Sequence, residues 1–224
     1  MLSVTLPRAL AAELVGTFLL VFTAAGAVMV DAETDALGHT GIAAATGLVV
    51  MAMVYAVGHV SGAHLNPGVS LAFALTRHLP AARLLGYWCA QVAGALLAAA
   101  VLRGSLGDVA DVGATLPAGS DGQAFLWEVV LTALLLFVVM AVATDTRAVG
   151  EAAAIAIGGT IALAVLVGGP VSGASLNPAR SLGPALVAGE LDMLWIYLTA
   201  PLLGAALGAL AYQAVRGAPA ERQR

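Results

Sequence analysis

The sequence predicts an all-α membrane protein with six transmembrane helices and two re-entrant half-helices, organised as an inverted repeat. Composition is the first observation: of 224 residues, 61% are hydrophobic and 10% are charged, whereas charged residues make up about 25% of soluble domains. The second is a set of six apolar runs of the length that membrane spans need, about 18 residues or more. The third is a segment of the form Ser-Gly-Ala-x-Leu-Asn-Pro that occurs once in each half of the chain.

The predicted spans take up most of the chain. Their approximate bounds are Ala9–Val30, Gly41–Val60, Leu84–Leu102, Ala124–Ala143, Ala152–Gly168 and Met193–Val215. Few residues remain for soluble parts, so we expect a single transmembrane domain over residues 1–224, in which residues 218–224 form a short cytoplasmic tail. The one cysteine, Cys89, lies inside an apolar span, which excludes an intramolecular disulfide and argues against a zinc site.

The placement of the arginines predicts the orientation in the membrane. The chain has nine basic residues, all of them arginine, and with six spans seven of these fall on the side of both termini. They are Arg8, Arg77, Arg83, Arg147, Arg216, Arg222 and Arg224. Because basic loops are retained in the cytoplasm, we expect a multi-pass protein of the cell membrane with both termini cytoplasmic. The net charge of −4 comes mostly from acidic residues on the opposite side, and no nucleic-acid partner is expected.

The two halves of the chain are related in sequence. Their approximate bounds are residues 1–115 and 116–224. Glu, Thr, Leu, Leu and Phe recur at identical spacing starting from Glu13 and from Glu128. Glu13 precedes Asn66 by 53 residues, and Glu128 precedes Asn177 by 49 residues. Each half therefore holds three spans, and an odd number of crossings turns the second half upside down relative to the first. Inverted repeats of this kind place their functional site near the membrane midplane.

Each Asn-Pro pair is predicted to start a short helix, because asparagine is a strong N-cap and proline suits the first helical turn. The apolar run after Asn66 ends at Leu75, and about ten helical residues span roughly 15 Å, which is half a bilayer core. A comparable run follows Asn177. A single Asn-Pro is usually a cap or a kink. Two copies in matching places instead predict half-helices that meet at the centre, and extended backbone at that depth must be buried or must line a water-filled cavity.

These residues resemble the aquaporin, or major intrinsic protein, family over nearly the whole chain. The second half carries the family's box as Asn177-Pro178-Ala179-Arg180, and the first half carries it as Asn66-Pro67-Gly68. Glycine replaces the usual alanine in the first box, which predicts a looser or wider central junction. The resemblance implies six tilted helices, two half-helices, and a homotetramer in the lipid bilayer with one pore in each subunit.

The resemblance also implies a role for each motif residue. The amides of Asn66 and Asn177 would donate to the permeating molecule, and Arg180 would place a fixed positive charge at the constriction. Glu13 and Glu128 would hold the re-entrant backbone. The backbone carbonyls that would line the path are those of Gly62, Ala63, His64, Gly173, Ala174 and Ser175.

The residues also allow a test of two other classes of function, a secondary transporter and an intramembrane enzyme. An inverted-repeat secondary transporter would use Glu13 or Glu128 as an ion-coupling carboxylate, and this remains the alternative of another class. An intramembrane enzyme would need a nucleophile with a base or a metal cluster, and the sequence has no such constellation. We therefore expect a protein that is not an enzyme and needs neither a cofactor nor a metal.

Gap-free offsets from the two Asn-Pro pairs place the family's four selectivity-filter positions on this chain. They are Thr46, Val165, Ala174 and Arg180. Strict water channels have an aromatic residue at the first position and histidine at the second, and glycerol facilitators have aromatic residues at the first and third. Three small or medium side chains here predict a wider opening. Other positions agree: Ser181 and Ala185 after the second box, combined with Tyr197-Leu198 before Pro201, resemble the nodulin-26-like and bacterial metalloid-permeable branch.

The resemblance to this branch implies a passive channel for small uncharged solutes. The expected solutes are metalloid hydroxides (arsenous, boric or silicic acid) and small polyols, with water passing as well and with ions and protons excluded. An ordinary water channel or a glycerol facilitator of the same family is the alternative.

Overall fold

The computed structural model describes residues 4–145 and 152–217, in which all regular secondary structure is helical. Six long helices are α1 (Leu6–Thr34), α2 (Gly38–Ser61), α4 (Ala81–Leu106), α6 (Asp121–Thr144), α7 (Ala153–Ser172) and α9 (Leu194–Val215). Three shorter elements are α3 (Pro67–Leu75), the single turn α5 (Ala110–Gly113) and α8 (Pro178–Ala188). All six long helices have the length and apolarity of membrane spans. The predicted fold class is confirmed, including the two half-helices α3 and α8.

The helices extend slightly beyond the predicted spans at most of their ends. α1, for example, runs from Leu6 to Thr34, because backbone hydrogen bonding continues past the apolar run into polar residues. Helix α7 also continues through Pro170 and ends at Ser172, four residues beyond the predicted end of its span. The predicted tail, residues 218–224, and three of the arginines used for orientation (Arg147, Arg222 and Arg224) lie outside the described residues.

Packing between the helices repeats in pairs, as an inverted repeat requires. Helix α1 packs against α2 and α4, and α6 packs in the same way against α7 and α9. Helices α2 and α7, which are equivalent in the two halves, pack against each other. Each half-helix, α3 and α8, lies between α4 and α9, so each contacts the half of the chain to which it does not belong.

Two equivalent glycines let neighbouring long helices pack closely. A Cβ on Gly94 of α4 would overlap the carbonyl oxygen of Leu14 in α1, and a Cβ on Gly204 of α9 would overlap that of Val129 in α6. Small residues at such crossings let two backbones approach closely inside a membrane. The two glycines occupy equivalent places in the two halves, and they hold the paired helices around the half-helices.

The outer surface of the helix bundle is apolar. Large side chains such as Leu85, Leu126 and Leu210 are more than half exposed along the long helices. A patch of this kind would cause association in water, whereas in a bilayer it is solvated by lipid. The polar groups that matter for function are therefore on the inside, where the half-helices lie.

Candidate pore and selectivity filter

Both half-helices begin with an asparagine that caps its own helix. Oδ1 of Asn66 accepts a hydrogen bond from the backbone N–H of Gly68 at 2.7 Å. Oδ1 of Asn177 accepts from the N–H groups of Ala179 at 3.0 Å and Arg180 at 3.3 Å. In each case proline follows at the first helical position, where its missing N–H costs no hydrogen bond. Local sequence rules therefore place both helix starts.

The same two asparagines fasten the half-helices to each other. Nδ2 of Asn66 donates to the carbonyl oxygen of Leu176 at 2.8 Å, and Nδ2 of Asn177 donates to that of Leu65 at 2.9 Å. A primary amide has two N–H groups, so each side chain keeps a second donor. Both asparagines also line the internal cavity described below. The two positive helix ends thus meet at one place, with amide donors beside them.

At Gly68, the half-helix α3 packs closely against α9. A Cβ on Gly68 would lie 3.2 Å from Asn66 Oδ1, 3.3 Å from the Cβ of Ala205 and 3.4 Å from the carbonyl oxygen of Pro201. Glycine at this position therefore lets α3 approach α9, instead of leaving an unfilled space. The looser junction expected from the sequence is not what the geometry gives.

Glu13 holds the backbone that leads into α3. Its Oε1 accepts from Ser61 Oγ at 2.6 Å and from the N–H of His64 at 2.9 Å. Its Oε2 accepts from the N–H of Leu65 and from Gln91 Nε2, each at 2.7 Å. The residue is fully buried. A buried carboxylate with four donors is well compensated, so its oxygens are committed to this loop.

Glu128 does the same for the backbone that leads into α8. Its Oε1 accepts from Ser172 Oγ at 2.8 Å and from the N–H of Ser175 at 2.9 Å, and its Oε2 accepts from the N–H of Leu176 at 2.8 Å. Neither Glu128 nor Glu13 is among the residues that line the cavity. The geometry thus gives both carboxylates a supporting position behind the loops and leaves neither in the path.

The supported backbone has an alternating conformation that is the same in both halves. Gly62 and Gly173 have φ angles of 90° and 81°, Ala63 and Ala174 have 47° and 44°, and Leu65 and Leu176 have 51° and 55°. For residues other than glycine, such angles cost about 1–3 kcal/mol each unless the surroundings hold them. The bonds to the two glutamates hold them here. The six residues whose carbonyls were predicted to line the path all border the cavity: Gly62, Ala63, His64, Gly173, Ala174 and Ser175.

One internal cavity of about 530 Å³ connects these groups. Along α2 its wall runs from His39 to Gly58, a rise of roughly 28 Å at 1.5 Å per residue, which matches a hydrocarbon core of about 30 Å. The four predicted filter residues, Thr46, Val165, Ala174 and Arg180, all lie on its wall, together with both asparagines. The residues that the sequence singled out are therefore brought together along one path.

Arg180 is held at the cavity wall by a contact that the sequence did not predict. Its Nη1 donates to the carbonyl oxygen of Gly113 at 2.8 Å, and the residue is buried. Gly113 ends the turn α5, in which four consecutive residues have positive φ angles. The place of Arg180 in the first half is taken by Val69, which also lines the cavity. The fixed positive charge thus acts on one side of the junction.

Thr46 lines the cavity, and its hydroxyl proton is already used within its own helix. Its Oγ1 donates to the carbonyl oxygen of Ile42 in the same helix at 2.9 Å. A hydroxyl has one donor and two acceptor lone pairs, so the remaining capacity at this position is to accept. Val165 and Ala174 add only apolar side-chain surface. The filter therefore has donors at Arg180, an acceptor at Thr46 and otherwise small apolar walls.

Two tyrosines brace the re-entrant loops, a role that the sequence did not predict. Tyr87 donates to the carbonyl oxygen of Ser61 at 2.8 Å, and Tyr197 donates to that of Ser172 at 2.6 Å. These are equivalent contacts in the two halves. Their only signal was the repeat itself, since each tyrosine follows its Asn-Pro pair at nearly the same distance. Around the described part of the chain, no cluster of three or more potential metal ligands is present.

Comparison with known proteins gives a consistent result. A family model described as Major intrinsic protein matches residues 1–212. Aquaporin NIP1-4 of Oryza sativa subsp. japonica is 52% identical over 216 residues, covering 96% of this chain and 79% of that protein. Nodulin-26 of Glycine max is 47% identical over 218 residues, covering 96% and 80%. The X-ray structure of the aquaglyceroporin from Plasmodium falciparum is similar with a TM-score of 0.84 and 26% identity, covering 94% of this chain and 97% of that chain.

Proposed function

The chain belongs to the major intrinsic protein family, whose model matches residues 1–212, and we propose that it is a passive channel with a wide filter for small uncharged solutes. The family resemblance drawn from the sequence is confirmed, and members of this family are channels, not enzymes. A membrane channel for water and small solutes follows from membership. We assign to it metalloid hydroxides (arsenous, boric or silicic acid) and small polyols, with water passing too.

The filter side chains carry this proposal. Thr46, Val165 and Ala174 are all small or medium in size and share one cavity wall with Arg180. Width and polarity at the narrowest point decide which molecule passes a channel of this type. An opening without an aromatic residue at the first or third position leaves room for a trigonal hydroxide or a three-carbon polyol, which a narrow water channel excludes.

The electrostatics of the cavity favour uncharged molecules. Two positive helix ends and Arg180 face the path, and among the described residues no aspartate or glutamate lines the cavity to compensate a cation. Many of the other lining residues are apolar, including Leu20, Val50 and Val139, so a cation would lose much of its hydration in a path whose fixed charges repel it. A neutral solute loses far less on entry.

The arrangement of donors and acceptors favours hydroxylated solutes in particular. Asn66, Asn177 and Arg180 supply N–H donors, and the carbonyls of the two re-entrant loops supply acceptors along the same wall. Most of the other side chains that line the cavity are apolar. A molecule that carries several hydroxyl groups donates and accepts at once, so it can exchange its water for both kinds of partner as it moves.

Flux into vesicles tests the proposal. Purified protein is reconstituted in liposomes, and influx of water, glycerol and arsenous acid is followed by stopped-flow light scattering against protein-free vesicles. We expect all three rates to increase, without saturation and without dependence on a proton gradient. Equal arsenous acid influx with and without protein would contradict the metalloid assignment, while increased water influx alone would favour an ordinary water channel.

A double substitution supplies the matched control. Thr46→Phe with Val165→His installs the side chains that strict water channels have at the first two filter positions. We expect water flux to be retained and the fluxes of glycerol and arsenous acid to fall to the protein-free level. If both solutes still pass at the original rate, these positions do not form the filter.

The transporter alternative has a distinct outcome. Saturable flux that follows an imposed proton gradient would support a carrier. The hydrogen bonds that occupy Glu13 and Glu128 argue against one, since a coupling carboxylate must exchange protons or ions with the path.

Orientation and assembly are part of the proposal. Arg8, Arg77, Arg83 and Arg216 lie at the ends of helices on the side of the chain termini, which supports cytoplasmic termini in the cell membrane. A C-terminal fusion to a fluorescent protein should fluoresce, and a fusion to alkaline phosphatase should be inactive. We also propose a homotetramer with one pore per subunit, and a native mass other than four subunits in detergent would refute it.

A further inference from the structure

His39 lies on the wall of the same cavity but outside the four filter positions. It is in the first turn of α2, seven residues before Thr46, and two helical turns separate these residues by roughly 10 Å along the helix. The cavity end that it borders is also formed by the last turns of α7, including Gly169. We refer to this end as the His39 entrance.

A proline in α7 creates the hydrogen-bonding partner of His39. Pro170 has no backbone N–H, so the carbonyl oxygen of Leu166, four residues earlier, lacks its helical partner. Nε2 of His39 lies 2.9 Å from this oxygen. Because a carbonyl oxygen can only accept, Nε2 must carry the proton. In the neutral ring Nδ1 is then an acceptor, and the described residues give it no hydrogen-bond partner.

A glycine in α7 makes the space for the ring. A Cβ on Gly169 would lie 2.5 Å from Cε1 of His39, 3.4 Å from Nδ1 and 3.5 Å from Nε2. The three nearest atoms to that Cβ thus all belong to the ring of His39. The carbonyl of Leu166 and the bare face of Gly169 together form a seat for one imidazole ring at the edge of the path. The equivalent positions of the first half, Gly58 and His59, include no proline.

We propose that His39 is a fifth specificity-determining residue of this pore, which narrows the His39 entrance and accepts a hydrogen bond at Nδ1 from a hydroxyl group of the entering solute. The proposal rests on the channel function proposed above. A hydroxylated solute sheds part of its water before it reaches Arg180, which only donates. An acceptor at the His39 entrance replaces water on the hydroxyl protons, so the entrance discriminates in favour of molecules that donate.

The seat is tested by a cycle of variants in reconstituted vesicles, with water and glycerol influx measured for equal amounts of protein. Gly169→Ala pushes the ring off its seat and into the path, so we expect glycerol influx to fall about threefold or more while water influx changes less. His39→Gln together with Gly169→Ala removes the ring, keeps an acceptor at this position and should restore glycerol influx. If the double variant is impaired as much as Gly169→Ala, the ring is not the obstacle and the seat is refuted.

The role of Nδ1 of His39 as a hydrogen-bond acceptor is tested by replacing the histidine with two side chains of similar size. His39→Leu keeps bulk but removes both ring nitrogens, and His39→Gln keeps an N–H donor and an acceptor. One neutral hydrogen bond corresponds to about threefold to tenfold in rate. We expect His39→Leu to lower the ratio of glycerol to water influx by that factor and His39→Gln to keep it. Equal ratios in the original protein and in His39→Leu would overturn the proposal.

The experiments can refute the role of His39 without refuting the channel function. Unaltered protein that conducts neither water nor glycerol would refute the channel function. Unaltered protein that conducts both, with variants indistinguishable from it, would refute only the role of His39. Water influx that is retained in Gly169→Ala shows that this variant is folded.

Discussion

Replacing each buried glutamate by glutamine tests whether these carboxylates support the loops or couple ions. Glutamine keeps one acceptor oxygen and puts an NH₂ group in place of the other. In Glu128 one oxygen accepts from two donors and the other accepts from Leu176 alone. Glutamine can direct its NH₂ group at Leu176, so one buried donor loses its acceptor. In Glu13 each oxygen accepts from two donors, so either orientation turns the NH₂ group toward two donors, although Gln91 Nε2 keeps a second acceptor in Ser70 Oγ.

The hydrogen bonds of each glutamate predict which of the two variants loses more stability. An unpaired buried donor costs about 1–3 kcal/mol. Glu128→Gln should therefore destabilise the protein by about 1–3 kcal/mol, and Glu13→Gln should destabilise it more, by at most about 6 kcal/mol. For a chain of this size, 1 kcal/mol shifts the melting temperature by roughly 2–4 °C. The second variant should thus melt several degrees below the first.

Thermal unfolding in detergent, followed by tryptophan fluorescence, measures this order. The same preparations are assayed for glycerol influx with and without a proton gradient. Glu13→Gln that is as stable as Glu128→Gln, or more stable, would refute the reasoning from donor counts. A variant of normal stability whose flux had lost a dependence on the proton gradient would show instead that the carboxylate couples transport.

Two further predictions concern glycines. Gly94→Ala places a Cβ on the carbonyl oxygen of Leu14 and should cost about 1–3 kcal/mol by overpacking, whereas Gly104→Ala, where a Cβ meets nothing within 4 Å, should not lower the melting temperature. Gly68→Ala meets atoms at 3.2–3.4 Å, so a strained contact offsets the helix preference of alanine, about 1 kcal/mol. Its net change should stay below that value in the same unfolding assay, and a larger loss would show that α3 cannot shift.

Features that depend on counting or on local rules were predictable. The lengths of apolar runs identified all six spans, and the Asn-Pro pairs identified where α3 and α8 begin, because capping depends on neighbouring residues. An odd number of spans per half fixed the inversion. The positions of Thr46 and Val165 were also predictable once the family resemblance supplied the offsets, and both lie on the cavity wall.

Features that join distant parts of the chain were not predictable. Arg180 is anchored by Gly113, 67 residues away, and His39 binds the carbonyl oxygen of Leu166, 127 residues away. Nothing in the local sequence of α5 indicates a left-handed turn, and nothing near His39 points to Pro170. The expectation about Gly68 also failed, because it considered the helix alone and not the closeness of α9.

The amino-acid sequence alone determined the helices, the break in each half and the inversion, since hydrophobic length, helix capping and the number of crossings need no knowledge of neighbours. Tertiary structure decided which donor each glutamate oxygen accepts, where the arginine is fixed and which carbonyl a proline leaves open to His39. Those contacts depend on how closely the helices approach, and that distance is set by pairs of small residues on facing helices.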